Sequence, residues 1–201
     1  LDLFFANGHL NSVSGDNRQS NLLFENDGRG RFTDISEKSG ILATGDRIHR
    51  SAIFADYDDD GRVDIFVTVN GQQVEDGQGN NIFDPNQGKG ILFHNETKSD
   101  NNWLKVRLEG TKSNRDGFGA TVSITAGPVK DEQALISGQG YFSANAKEIY
   151  FGLGLIDTIE KIDVSWPSGI DQTFENIPAN QTVYIIEGET LHQNTLYLSV
   201  K

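Results

Sequence analysis

Apolar and polar residues alternate strictly through much of the second half of the chain. In "WLKVRLEG", 103–110, Leu104, Val106 and Leu108 share one face while Lys105, Arg107 and Glu109 share the other. That period of two is the mark of a half-buried strand. "ATVSITA" (120–126), "KIDVSW" (161–166), "TVYIIEG" (182–188) and "TLYLSV" (195–200) alternate likewise. Several such strands separated by Gly, Asn and Pro turns predict an antiparallel β-sandwich or barrel. No segment sustains a helical period.

The first half has shorter runs. "LLFEN" and "RFTDI" flank the turn "DGRG", and "SAIFADY" leads into an acidic stretch followed by "VDIFVTV". These β-branched and aromatic runs read as short strands. "DISEKSG", 34–40, reads as one or two helical turns stopped by Gly40. The polar, Gly-rich stretch 71–90 predicts a long loop. Two matches recur in the same order: "LDLFFANG" (1–8) with "VDIFVTVNG" (63–71), aligning Asp2 with Asp64, and "LLFEN" (22–26) with "ILFHN" (91–95). They indicate a repeat of roughly 60–70 residues. Asp2 would then close a motif whose first half precedes this chain, which is expected to be a processed or partial piece of something longer. The polar stretch "NETKSDNN", 95–102, divides a region 1–100 from a β domain 101–188, with 189–201 as a final strand or tail.

The stretch "FADYDDDGRVDIFV", 54–67, crowds five aspartates against the start of a strand. Carboxylates 4–5 Å apart repel by about 3–4 kcal/mol per pair at an effective dielectric near 20, so something must offset them. Asp56, Asp58, Asp60 and Asp64 fall at loop positions 1, 3, 5 and 9, with Gly61 at position 6 for the sharp turn and the Arg62 carbonyl at position 7. All-oxygen donors converging in this way select Ca²⁺. Val67 occupies position 12, where an EF-hand carries a bidentate glutamate, so this is a different calcium loop. Asp59 breaks the alternation and is expected to point outward.

The string "ADYDDDGRVDIFVTVNG" with "ILFHN" and "LLFENDGRGRFTDIS" resembles the FG-GAP/VCBS repeat of β-propeller blades. "WLKVRLEGTKSNRDGFGATVSI", "SGQGYFSANAKEIYFGLG" and "VSWPSGIDQTFENIPANQTVYI" resemble an ASPIC/UnbV domain. The resemblance implies an all-β chain, with partial propeller blades followed by the sandwich or barrel domain. It implies calcium ligands at Asp56, Asp58, Asp60 and Asp64, and it supplies no known reaction. Only about one blade with fragments of others is expected within the chain.

Composition narrows the partners. Net charge is −12, which argues against nucleic acid or an anionic membrane and favours cations. No apolar run is long enough to span a bilayer, and the absence of cysteine removes disulfides and thiolate metal sites. The four histidines form no H-E-x-x-H pattern, G-x-G triplets lack the third glycine of a nucleotide loop, and no G-x-S-x-G elbow occurs. Arg115 in "KSNRDGFGA" reads first as part of a hairpin turn and second as an anion donor. Tyr141 and Trp166, with Trp103, could stack on sugars or be structural aromatics. The pair Glu75/Asp76 could in principle act in glycoside hydrolysis. The sequons at Asn95 and Asn180 carry little weight.

The expectation is a non-catalytic, calcium-stabilised extracellular or cell-surface module, with a periplasmic location also open. Its partner would be a protein or glycan of the surface or matrix. A carbohydrate-binding module is the alternative, followed by an enzyme or a biosynthetic accessory of UnbV type.

Overall fold

The computed structural model describes residues 2–8, 19–71, 73–75, 78, 81–83 and 88–190. The expected strand at 195–200 and Asp76 of the acidic pair lie outside them, as does the side chain of Glu75. The chain forms two compact units. One comprises Leu1–Tyr57, Val63–Asn95 and Gly138–Ala144; the other comprises Asp58–Arg62, Glu96–Ser137 and Asn145–Lys201.

In the first unit, β1 (Leu3–Phe5), β2 (Leu22–Asn26) and β3 (Phe32–Asp34) form an antiparallel sheet in that order. A second antiparallel sheet holds β4 (Ile48–Ala55), β5 (Asp64–Asn70) and β8 (Ile91–Phe93), with β5 central. The repeat is preserved down to its register. Leu3, Phe4 and Phe5 oppose Phe24, Leu23 and Leu22, as Ile65, Phe66 and Val67 oppose Phe93, Leu92 and Ile91. Phe4 packs against Phe54 and Phe93, with ring centroids 6.4 and 6.3 Å away, so the aromatic residues of both sheets share one apolar contact.

Residues 36–40 form hydrogen-bonded turns, with the Ser39 amide donating to the Ile35 carbonyl at 2.8 Å, and end at Gly40 in the left-handed region, φ +80; a 3-10 turn, Ile41–Thr44, follows at once. One expectation is corrected here. The stretch 71–90 is not a plain loop, because β6 (Gln73–Glu75) and β7 (Asn81–Phe83) pair within it.

The second unit is a sandwich. One sheet runs β11 (Val129–Ala134), β10 (Thr121–Ala126), β13 (Thr158–Ser165), β14 (Asp171–Pro178); the other runs β12 (Glu148–Gly154), β9 (Asn102–Glu109), β15 (Gln181–Ile186). The inward residues of both sheets, among them Leu104, Val106, Val122, Ile124, Phe151, Ile162 and Val183, make one core. Among the described residues the sheets do not close into a barrel, and every strand pair is antiparallel except β9 with β15. That pair is parallel because β15 returns to β9 after the chain has crossed the other sheet.

The stretch 112–120 is not a hairpin turn, since β9 and β10 belong to different sheets. It passes between them and is anchored by Glu187. The Glu187 carboxylate accepts from the amides of Thr111, Lys112 and Ser113 at 2.6–2.8 Å and from the hydroxyls of Ser113 and Ser168. Burial alone would raise this carboxyl; the Ser113 amide, Ser168 hydroxyl and Lys112 amide outweigh it and hold it down at about 2.

Candidate metal loop

The loop between β4 and β5 spans 56–63 and takes its shape from two left-handed residues, Asp59 at φ 58 and Gly61 at φ 86. Asp64, the first residue of β5, ties the loop's two ends together. Its Oδ2 accepts the Tyr57 amide at 3.2 Å and its Oδ1 accepts the Asn95 amide at 2.7 Å. Asn95 in turn donates its side-chain amide to the Val63 carbonyl at 3.1 Å. The first repeat contains the same device, with Asp2 Oδ1 accepting the Asn26 amide at 2.9 Å. Asp2 and Asn26 align with Asp64 and Asn95, so the two matched sequence fragments correspond to one conserved hydrogen bond within the chain.

Three of the expected ligands come together. Carboxylate oxygens of Asp56, Asp58 and Asp64 lie within 4.8 Å of one another. Calcium ligands at 2.3–2.6 Å from the ion stand at most about 4.6–5.2 Å apart, so this spacing fits one ion. The donor chemistry fits too, being entirely hard oxygen. Asp56 and Asp64 are 5% and 2% exposed, and two buried carboxylates beside a third are costly without positive charge. Asp60 belongs to a second such group, with Asp58 and His94, whose ligand atoms also lie within 4.8 Å of one another. Its Oδ1 accepts the Arg62 amide at 2.8 Å and its Oδ2 pairs with the Arg62 guanidinium. The side chain of Arg62 thus engages a neighbouring acid, a role its expected carbonyl ligation did not anticipate.

Asp59 is 65% exposed, as expected of the residue that breaks the alternation, but it also has a partner: Lys105 Nζ reaches its Oδ1 at 2.5 Å. The hydrogen bond from Lys105 lowers the Asp59 pKa, against the opposing effect of partial burial, with the charges of Lys105 and Arg107 adding to the lowering.

The other candidates separate by environment. Trp166 is 4% exposed, lies in the sandwich core and donates its indole N–H to Gln172 Oε1 at 2.5 Å. It is a core residue and no stacking platform, because the period of β13 carries it inward beside Val164. Arg115 is at the surface with Glu109 at 4.0 Å. Tyr141 remains exposed and meets Phe142 edge to face at 4.6 Å. Phe142 is 87% exposed at φ 48, an unusual backbone state for a bulky residue. Arg50 lies over the Tyr141 ring at 5.4 Å, and the Ser51 hydroxyl donates to the Tyr141 carbonyl at 2.8 Å. Both sequon asparagines are structural: Asn95 as described, and Asn180 by accepting the Trp103 amide and donating to Asn102.

Comparison with protein families matches residues 1–67 to the model described as FG-GAP-like repeat and residues 110–192 to that described as ASPIC and UnbV. The two matches follow one another along the chain, the FG-GAP-like one before the ASPIC and UnbV one. Among curated proteins none matches it. The FG-GAP-like match contains the whole acidic loop, and the ASPIC/UnbV match contains both sheets of the sandwich except β9. FG-GAP repeats are typical of extracellular and cell-surface proteins, and among the described residues no helix is long and apolar enough to cross a membrane.

Two contributors escaped the sequence reading. Asn95 had a signal, since it ends the repeated "LLFEN"/"ILFHN" element. Lys105 had none, because alternation places it on a polar face without saying what covers that face.

Proposed function

We propose that the chain is a non-catalytic extracellular or cell-surface module whose FG-GAP-like loop binds calcium, and which serves adhesion or assembly with a protein or glycan partner. The observation that carries this reading is the gathering of the Asp56, Asp58 and Asp64 carboxylates within 4.8 Å, two of them buried. Bound calcium would neutralise these groups and add its binding free energy to that of folding. The Asp64 hydrogen bonds to Tyr57 and Asn95 hold the loop ends in place for it.

Extracellular calcium modules bind at about 10⁻⁴–10⁻³ M. At roughly 2 mM calcium that amounts to about 0.6–1.8 kcal/mol of added stability, a rise in melting temperature of a few degrees. The test is a thermal melt in calcium and in excess chelator, with Asp58→Ala alongside. Asp58→Ala should remove the calcium-dependent rise whatever it does to the chelator melt, because the rise is the difference between the two conditions. A wild-type melt indifferent to calcium, or a full rise in the variant, would sink the reading.

A glycan partner is favoured by one observation: Tyr141 and Phe142 are both exposed, with Arg50 against the former. A strained backbone that holds an aromatic ring in solvent is the kind of feature found at ligand sites. On this second reading, glycan-array binding is present in the wild type and lost in Tyr141→Ala and Phe142→Ala. Binding that survives both substitutions would assign the glycan elsewhere.

A further inference from the structure

Lys105 lies in the middle of β9 on the face turned away from the sandwich core, yet it is 0% exposed. What covers it is the segment 58–62, which belongs to the same compact unit. The Asp59 carboxylate meets Nζ at 2.5 Å. The Gly61 backbone lies so close to Trp103 that any Cβ would overlap the indole ring. Trp103 is the preceding outward residue of β9, and Lys105 Nζ is 6.0 Å from its ring centroid. The next outward residue, Arg107, brings its guanidinium to 3.5 Å from the same Asp59 oxygen while pairing with Glu148 and the Tyr184 hydroxyl. Three successive outward positions of one strand therefore receive the loop tip: a ring for the glycine, an ammonium and a guanidinium for the aspartate.

A buried ammonium is retained in charged form only when an anion compensates it. Asp59 supplies that anion from a left-handed conformation, φ 58, which an aspartate adopts at a cost that its surroundings must over-determine. Each partner thus accounts for an irregularity in the other.

We propose that Lys105 is a positioning residue for the metal loop: by fastening Asp59 it holds 56–64 in its ligating shape before any cation arrives. The inference rests on the calcium reading of Asp56, Asp58 and Asp64. It assigns Asp59, which stands outside the alternating ligand set, the role of a tether. A buried positive charge could otherwise act only by repelling calcium, and the two roles differ in sign. A tether raises affinity because the ion need not order the loop, whereas a repelling charge lowers it.

The experiment compares the wild type with Lys105→Met, Asp59→Asn and the double variant. Methionine keeps the length and apolar stem of lysine, and the Asp59 it leaves behind is largely solvated. Should Lys105→Met fail to fold, Asp59→Asn weakens the tether from the exposed side by removing the anion that faces Lys105 and the more distant Arg107. In metal-free buffer, amide exchange across 57–63 should quicken at least tenfold in each single variant, with β10 and β13 unchanged. By calorimetry, calcium affinity should fall about tenfold in each single variant, and the double variant should be no weaker than the weaker single, because both act on the same Lys105–Asp59 ion pair.

Unchanged loop exchange in the two single variants would overturn the proposal. So would tighter calcium binding by Lys105→Met, which would assign the lysine a purely repulsive part. Wild-type protein that takes up no calcium at millimolar concentration would overturn the calcium reading itself and this inference with it. Wild-type binding with unaltered affinity in the variants would overturn this inference alone.

Discussion

At Gly61 the backbone stands at φ +86 with the Trp103 ring against its α-carbon, whereas Gly169, at φ +87 in the same unit, has open space around it. Alanine at either position meets the left-handed penalty of roughly 1–2 kcal/mol. At Gly61 it must also displace the indole. Gly61→Ala should therefore cost clearly more than Gly169→Ala in urea denaturation, by about 1 kcal/mol or more; equal costs would mean that Trp103 moves aside freely. Glu187 makes a different argument. Its folded pKa of about 2 lies below the ordinary glutamate value of about 4.5, so the unfolded chain binds the extra proton between those values. Its contribution to stability is fully present above about pH 4.5 and is lost as pH falls toward 2. Glu187→Gln should lower the denaturation midpoint at pH 6, and the gap from wild type should narrow progressively below pH 4.5. A gap that is constant with pH would show that shape, and not charge, makes the residue matter.

Among the elements, the sandwich strands were legible because a period of two assigns each side chain to a face without reference to any partner. Leu104, Val106 and Leu108 went inward as their alternation required. The repeat was equally legible: matching "LLFEN" to "ILFHN" anticipated a common register that β1–β2 and β5–β8 share pair by pair. What periodicity lacks is the identity of the neighbour. It could not tell that β15 returns parallel to β9, that 112–120 passes between sheets, or that a loop lies over Lys105, since each is a contact between residues far apart in sequence. Trp166 was ambiguous for a related reason: an aromatic at a strand end suits a core or a platform equally, and only burial decides. The core's own weight can be measured. Leu104→Ala, at a fully buried position of the central strand β9, should cost about 2–5 kcal/mol. Leu155→Ala, at an exposed position after β12, should stay within about 0.5 kcal/mol. Similar costs at the two sites would contradict the inward assignment of β9.

For the whole molecule, the absence of cysteine leaves neither unit held by a disulfide, and the two units carry different acid-sensitive groups. In the first, His49 is buried, and its Nδ1 lies 3.1 Å from both the Asn7 and the Gln19 carbonyls. Burial lowers its pKa; the two carbonyls oppose that, and Arg47 and Asp46 act in opposite directions. A histidine whose folded pKa is depressed contributes stability above its unfolded value of about 6.5 and loses it as pH falls through the folded pKa. In the second unit, Glu187 makes no such demand until about pH 4.5. Acidification in chelator should therefore act in two stages. Amide exchange in β1, β2 and β4 should quicken as pH falls below 6.5, after correction for intrinsic rates. Exchange in β9, β10 and β13 should hold until pH falls below 4.5. His49→Gln, neutral at every pH, should abolish the first stage and leave the second. Loss of protection in both units at one common pH, or a first stage that persists in His49→Gln, would mean that the acid response belongs to the net charge of the chain and not to these two groups.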